Sequence, residues 1–196
     1  MKITIVVWLL VLFPAGVWAG LDPTPDQMGF YFDPLGETID LELATFSPFT
    51  LYIIYTNPTL ESIRGFECDL AMYSDGPTQS IILDTAYPVP QVDIGSKSQS
   101  RAMYIVGFTE PIPTTPATVL AQVNLFYLDS SPLLFYQGPA EPASLGSGLP
   151  VVMGEDFALL PTGLSVPDGP AATVNGEDSV VHTNQAPWDF IKSLYR

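Results

Sequence analysis

The chain has 196 residues, of which 21 are aspartate or glutamate and 6 are lysine or arginine, so its formal net charge is -15. So acidic a chain lacks the cationic surface that binding to a nucleic-acid backbone requires, and we expect no nucleic-acid partner. The 20 prolines argue against a mainly helical protein, because a proline inside a helix costs about 3 kcal/mol. One histidine and one cysteine leave little for metal or nucleophilic chemistry.

The first twenty residues have the pattern of an export signal. Lys2 supplies the positive start, and Ile3–Phe13 form the apolar stretch of such a signal. This stretch is shorter than the roughly 20 apolar residues of a membrane-spanning helix. We therefore expect residues 1–19 to be cleaved after Ala19, leaving a secreted or cell-surface protein with no transmembrane anchor.

Residues 20–163 are predicted to form an all-β domain, an antiparallel β-sandwich of the jelly-roll type with about nine strands. Apolar and polar side chains alternate in Glu37–Leu43, Phe49–Thr56 and Gly65–Tyr73. No helical periodicity separates the strands, so the crossovers of a parallel sheet are lacking and two packed antiparallel sheets are expected. Further strands are predicted at Met28–Asp33, Ser80–Thr85, Arg101–Thr109, Ala117–Leu128, Leu133–Gln137, Leu149–Met153 and Phe157–Leu160.

The alternation in Gly65–Tyr73 predicts which side chains are buried. Glu67 and Asp69 share one face, which we expect to lie in water, since the opposite register would bury two carboxylates. Cys68 then becomes a small buried hydrophobe, with an intermolecular disulfide or a reactive thiol as alternatives. The apolar face of this strand consists of Phe66, Cys68, Leu70 and Met72.

After Gly163 the sequence becomes rich in Pro, Gly, Ala, Ser and acids, and residues 164–184 are predicted to be a flexible acidic tether. Residues 185–196, the tail peptide, have the pattern of a short amphipathic helix that begins near Pro187. A helix this short is marginal alone in water. We expect it to dock on a partner or act as a sorting element, or else to fold back over an edge of its own sandwich. Its apolar side chains are Trp188, Ile191, Leu194 and Tyr195.

The order of these pieces resembles the cohesin-like β-sandwich domains over about residues 28–165, and the whole chain resembles small exported bacterial proteins. The resemblance implies a nine-stranded jelly roll of the kind found on secreted bacterial scaffolding proteins, which binds dockerin modules through one sheet face. The stretches that carry it are Pro48–Tyr55, Ile63–Leu70 followed by Tyr73, Asp75 and Pro77, then Val106–Phe108, and finally Val119–Leu128.

The sequence offers no pattern that favours catalysis. His182 lies in the predicted tether, far from Cys68, so a Cys-His pair is not expected. Glu67 and Asp69 lie about 7 Å apart along a strand, wider than the roughly 5–5.5 Å of a retaining glycosidase. No cofactor is expected, although a structural Ca²⁺ bound by loop acids remains an alternative. The candidate acids are Asp22, Asp26, Asp129, Glu155 and Asp156.

These observations predict a non-catalytic binding module whose partner is a protein or a component of the cell envelope. The expected binding residues are Tyr52 and Tyr73 on the sandwich and the four apolar residues of the tail peptide. The alternative is a carbohydrate-binding module, or an accessory protein in polysaccharide binding, with an aromatic platform. Because Trp188 is the only tryptophan after residue 19, such a platform would depend on tyrosines such as Tyr52, Tyr73 and Tyr127.

Overall fold

The computed structural model describes residues 23–75 and 80–176, so the predicted signal segment and the tail peptide lie outside the described residues. Within these ranges the chain forms strands and no helix. No helix long and apolar enough to cross a membrane occurs in the described part. The strands are β1 (Gln27–Tyr31), β2 (Asp40–Leu41), β3 (Ser47–Thr56), β4 (Ser62–Ser74), β5 (Ile81–Ala86), β6 (Gln91–Asp93), β7 (Arg101–Pro113), β8 (Ala117–Tyr127), β9 (Leu133–Gly138), β10 (Val151–Gly154), β11 (Leu159–Pro161), β12 (Gly163–Leu164) and β13 (Ala172–Val174).

The strands form two sheets, which confirms the predicted β-sandwich. Sheet A has the order β12-β1-β3-β8-β5. Sheet B is built around β4, with β7 and then β6 on one edge and the β10-β11 and β9-β13-β2 groups on the other. The expectation of purely antiparallel sheets is wrong in two places. β12 pairs with β1, and β13 with β2, in parallel, because these late segments return to strands formed much earlier in the chain.

The core lies between the two sheets and follows the predicted alternation. Phe49, Leu51, Ile53 and Tyr55 of β3 are buried, and so are Phe66, Cys68, Leu70 and Met72 of β4. Cys68 is a fully buried free thiol, as predicted, and burial raises the pKa of that thiol well above its ordinary value. It is therefore protonated and unreactive at neutral pH.

The predicted strand Glu37–Leu43 is reduced to the two residues of β2. Asp33 shapes the chain just before it, because its carboxylate accepts hydrogen bonds from the backbone N–H groups of Leu35 and Glu37. Ile39, expected inside, is 37% exposed. The alternation in Glu37–Leu43 therefore belongs to a segment of which only a part packs against the core.

The sandwich continues past Gly163, where the tether was predicted to begin. β12 pairs with β1, and β13 lies between β9 and β2. Ala171, Ala172 and Val174 are buried in the core, so the tether prediction is wrong for residues 164–174. Small side chains in a three-residue strand carry no visible alternation, which hid this element. Residues 177–184 of the predicted tether lie outside the described residues.

Candidate functional site on the outer face of sheet B

β9 and β10 lie one after the other along the same edge of β4. Gly138 at the end of β9 is opposite Asp69, and Val151 at the start of β10 is opposite Glu67. The intervening residues 139–150 leave the line of the strands, and we call this segment the strap. β9 and β10 therefore form one edge of the sheet, and the strap leaves the sheet between them.

The strap is fastened over Glu67. The backbone N–H of Ser144 donates to Glu67 Oε1 at 2.8 Å, and the Ser144 hydroxyl donates to Oε2 at 2.7 Å. Glu67 is only 5% exposed, so the prediction that it faces water is wrong. The alternation correctly placed Glu67 on the face of β4 that points away from the core. It carried no information on whether a loop covers that outer face.

Asp69 is also buried on this face, at 2% exposure, which corrects the same prediction. It forms an ion pair with Arg101, whose Nε donates to Asp69 Oδ1 at 2.7 Å. Burial raises the pKa of the Asp69 carboxyl, and the Arg101 guanidinium offsets only part of that rise. Arg101 also approaches Glu141 of the strap at 3.9 Å, a contact on the surface of the protein.

Beside the strap lies a surface groove of about 280 Å³ with Glu67 and Ser144 at one end. Val92 and Ile94 on one side of the groove are 63% and 73% exposed, and Leu159 on the other side is 40% exposed. A clustered apolar surface of this kind commonly marks a binding site. The aliphatic lining comprises Val92, Ile94, Ile105, Val151, Met153 and Leu159.

Gly107 lies in the floor of the groove. Across the sheet, Met153 of β10 is opposite Gly65 of β4, Gly65 is opposite Gly107 of β7, and Gly107 is opposite Val92 of β6. The Met153 side chain covers Gly65, since its Cε lies 3.2 Å from where a Cβ of Gly65 would stand, whereas Gly107 stays open. A Cβ added at Gly107 would meet no atom within 4 Å, so it would enter the groove.

The rim of the groove beside Ile94 is held by Asp93. Its carboxylate accepts hydrogen bonds from the Tyr87 hydroxyl at 2.6 Å, the Gly95 N–H at 2.9 Å and Lys97 Nζ at 2.8 Å. Burial alone would raise the pKa of Asp93, but the hydrogen bonds from Lys97, Tyr87 and Gly95 outweigh it and lower the pKa. The exposed side chain of Ile94 therefore projects from a loop whose conformation is fixed by the hydrogen bonds of Asp93.

The predicted binding tyrosines are not brought together. Tyr52 lies on β3 of sheet A, between the inward-facing residues Leu51 and Ile53, whereas Tyr73 lies near the end of β4 in sheet B. The hydroxyl of Tyr73 donates to Asp75 at 2.6 Å. Tyr127, the third platform candidate, is buried in the core at 2% exposure. The remaining predicted binding residues, Trp188, Ile191, Leu194 and Tyr195, lie outside the described residues.

Sequence reasoning missed the groove because it depends on lateral pairing. β6 spans only three residues and was not predicted, although Val92 and Ile94 flank Asp93 in a short alternation. Gly65 and Gly107 were noticed as parts of two strands, but no sequence signal places them opposite each other. Only the register of β4 against β7 does so.

The loop acids considered for calcium are used inside the protein as hydrogen-bond acceptors. The Asp26 carboxylate accepts from the Tyr55 hydroxyl and from both the N–H and the hydroxyl of Thr59. Burial would raise the pKa of Asp26, but these hydrogen bonds outweigh it and lower the pKa. Within residues 23–75 and 80–176, no three His, Cys, Asp or Glu side chains are grouped to hold a metal. Asp129, Glu155 and Asp156 also accept hydrogen bonds, from Ser131, Ser62 and Ala158 respectively, and Asp22 lies outside the described residues.

The fold is similar to that of cohesin modules of known structure. The second type II cohesin module of the ScaA scaffoldin of Acetivibrio cellulolyticus is 10% identical with a TM-score of 0.55, covering 78% of this chain and 98% of that module. The sixth cohesin of scaffoldin B from the same organism, solved in complex with a dockerin, is 11% identical with a TM-score of 0.53, covering 79% and 100%. A non-cellulosomal cohesin from the archaeon Archaeoglobus fulgidus is 7% identical with a TM-score of 0.50, covering 77% and 88%.

No protein-family model matches this sequence, and no curated protein does. The structural similarity at such low identity establishes the fold: the chain is a cohesin-like β-sandwich, as the sequence resemblance implied.

Proposed function

We propose that this chain is an exported, non-catalytic binding module that recognises a protein partner through the groove on the outer face of sheet B. The observation that carries the proposal is a groove with exposed aliphatic side chains on both sides, Val92 and Ile94 on one and Leu159 on the other, and with Gly107 in its floor. Apolar side chains exposed beside a concave surface gain free energy when a partner covers them. The cohesin fold supports a binding role by analogy, since one neighbour was solved with its dockerin.

The arrangement of the acids supports a module without catalysis. A pair of catalytic carboxylates must reach a substrate in a cleft. Here Glu67 is covered by Ser144 of the strap, and Asp69 is paired with Arg101. Glu67 therefore fixes the strap on the sheet, and Asp69 is held by Arg101.

The proposal also includes export of the chain and docking through its tail peptide. The pattern of residues 1–19 supports export to the medium or the cell surface. The tail peptide then acts as a docking or sorting element, and the partner is a protein, including a protein component of the cell envelope. A carbohydrate platform is not favoured, because Tyr52 and Tyr73 belong to different sheets and Tyr127 is in the core.

The test is a pull-down from the envelope of the producing organism with the chain from Gly20 onward. Ile94→Asp places a charge in the groove, and Gly107→Leu fills its floor. Leu83→Asp is the matched control, because Leu83 is 58% exposed on β5 of sheet A. The two groove variants are expected to lose the partner while the control keeps it. Equal capture by all three variants would contradict the proposal.

A further inference from the structure

The basic side chains of the sandwich are already engaged within it. In the described part of the chain the basic residues are Arg64, Lys97 and Arg101. Lys97 and Arg101 form ion pairs with Asp93 and Asp69 at 2.8 and 2.7 Å, and the guanidinium of Arg64 lies 5.3 Å from the centre of the Phe157 ring. The many remaining acids of the sandwich are not balanced by cations, so its surface favours a basic partner.

Acidic residues also stand next to the groove. Glu155 and Asp156 are exposed in the turn between β10 and β11, two and three residues after Met153 of the groove wall. A ligand for this surface should therefore combine apolar side chains, which enter the groove, with cations, which meet this turn.

The tail peptide has this combination of residues. It carries Lys192 and Arg196, two of the six basic residues of the chain, and its apolar residues Trp188, Ile191 and Leu194 recur at helical spacing. Short peptides that bind grooves commonly use aromatic and aliphatic anchors at such spacing. The chain therefore contains a segment whose chemistry complements its own groove.

The path along the surface disfavours binding of the tail peptide to its own copy. Val174 of β13 is level with Ser74 of β4, through Leu133. Gly65, which is level with Gly107 of the groove floor, lies nine positions away, about 30 Å along the strand. The eleven residues after Gly176, ending at Pro187, reach at most about 36–40 Å when fully extended. This limit leaves little length to spare, and the strap lies across the direct route.

We infer that the groove of one copy receives the tail peptide of a second copy, so that the chain assembles head to tail. The inference rests on the proposed function, because it assigns an occupant to the same groove. The contact joins two different surfaces, so its repetition gives an open chain or a ring of copies and not a two-fold dimer.

The experiment uses the chain from Gly20 onward, in which Trp188 is the only tryptophan. Analytical ultracentrifugation and tryptophan emission are recorded over a range of protein concentrations. The mass is expected to rise with concentration while the Trp188 emission shifts to shorter wavelength in parallel. Ile94→Asp should abolish both changes, and Leu83→Asp should leave both unchanged.

A mixing experiment tests the head-to-tail geometry. One chain ends at Asn184 and so keeps the groove without the tail peptide, and the other carries Ile94→Asp and so keeps the tail peptide without a working groove. Each alone is expected to be monomeric, whereas the mixture should form a one-to-one complex. Loss of the complex in this mixture would overturn the inference.

Two further results would also overturn it. A monomer at every concentration with water-exposed Trp188 emission shows that no tail is bound. A monomer with shifted emission shows that the tail lies on its own copy. In both cases the proposed function is judged separately, by whether Ile94→Asp still removes the partner in the pull-down.

Discussion

Glu67 and Ser144, 77 residues apart in the sequence, are joined by two hydrogen bonds, one from the Ser144 N–H at 2.8 Å and one from its hydroxyl at 2.7 Å. This pair fixes the strap over the outer face of β4 and closes one end of the groove. A buried carboxylate that would be costly if left unpaired thus becomes the anchor of a surface loop.

Ser144→Ala should destabilise the sandwich. It removes one of the hydrogen bonds to the buried charge of Glu67, which corresponds to a loss of about 1–3 kcal/mol in the free energy of unfolding. The control is Ser147→Ala in the same strap, where the hydroxyl accepts only a long 3.4 Å hydrogen bond from Leu149. Urea denaturation of both variants checks the prediction, and equal losses would contradict it.

Gly65→Ala and Gly107→Ala should differ sharply although the two glycines are opposite each other. A Cβ at Gly65 would lie 2.3 Å from the backbone carbonyl oxygen of Val106, whereas a Cβ at Gly107 would meet nothing within 4 Å. A clash with backbone forces a shift of the strand, so Gly65→Ala should cost about 1–3 kcal/mol. Gly107→Ala should change stability by no more than about 0.5 kcal/mol. Thermal unfolding of the pair measures the difference, and similar melting temperatures would refute it.

Gln137→Met should stabilise the protein. The side-chain oxygen and nitrogen of Gln137 are buried, and neither has a hydrogen-bond partner in the described part of the structure. Removing such unsatisfied polar atoms while keeping the volume should raise the free energy of unfolding by about 1–2 kcal/mol. Gln122→Met is the control, because Gln122 is exposed on β8. A loss of stability in Gln137→Met would show that the amide is satisfied.

Asp93→Asn should produce a loss of stability that depends on pH. The hydrogen bonds from Lys97 and Tyr87 outweigh burial and hold the pKa of Asp93 below its ordinary value of 3.8. A lowered pKa contributes stability that is present above pH 3.8 and is lost as the pH falls through the folded-state pKa. The variant should therefore be about 1–3 kcal/mol less stable at pH 7, and the gap should narrow below pH 3.8. Denaturation curves at several pH values test this, and a constant gap would contradict it.

The sequence predicted the parts of the fold that depend on one strand at a time. The alternation in β3 and β4 gave the correct inward faces, including Cys68. The alternation gave the wrong exposure where a segment distant in the sequence covers the strand. Glu67 is buried because the strap crosses it, and nothing in residues 139–150 signals which surface they will cover.

The candidate site could not be predicted from the sequence, for a related reason. Its floor contains Gly107, which the register of β4 and β7 places opposite Gly65, and its rim exists because β6 adds Val92 beside Gly107. Lateral register is set by the packing of the whole sandwich, so a local pattern cannot give it.

Site-specific photocrosslinking in the producing organism tests the central claim most directly. A photoreactive phenylalanine analogue is placed at position 94 in the groove or, as the control, at position 83 on β5. We predict a discrete crosslinked protein product from position 94 only, and its loss when Gly107→Leu fills the groove. Products of the same mass and yield from both positions, or from position 83 alone, would contradict the assignment of the groove as the binding surface.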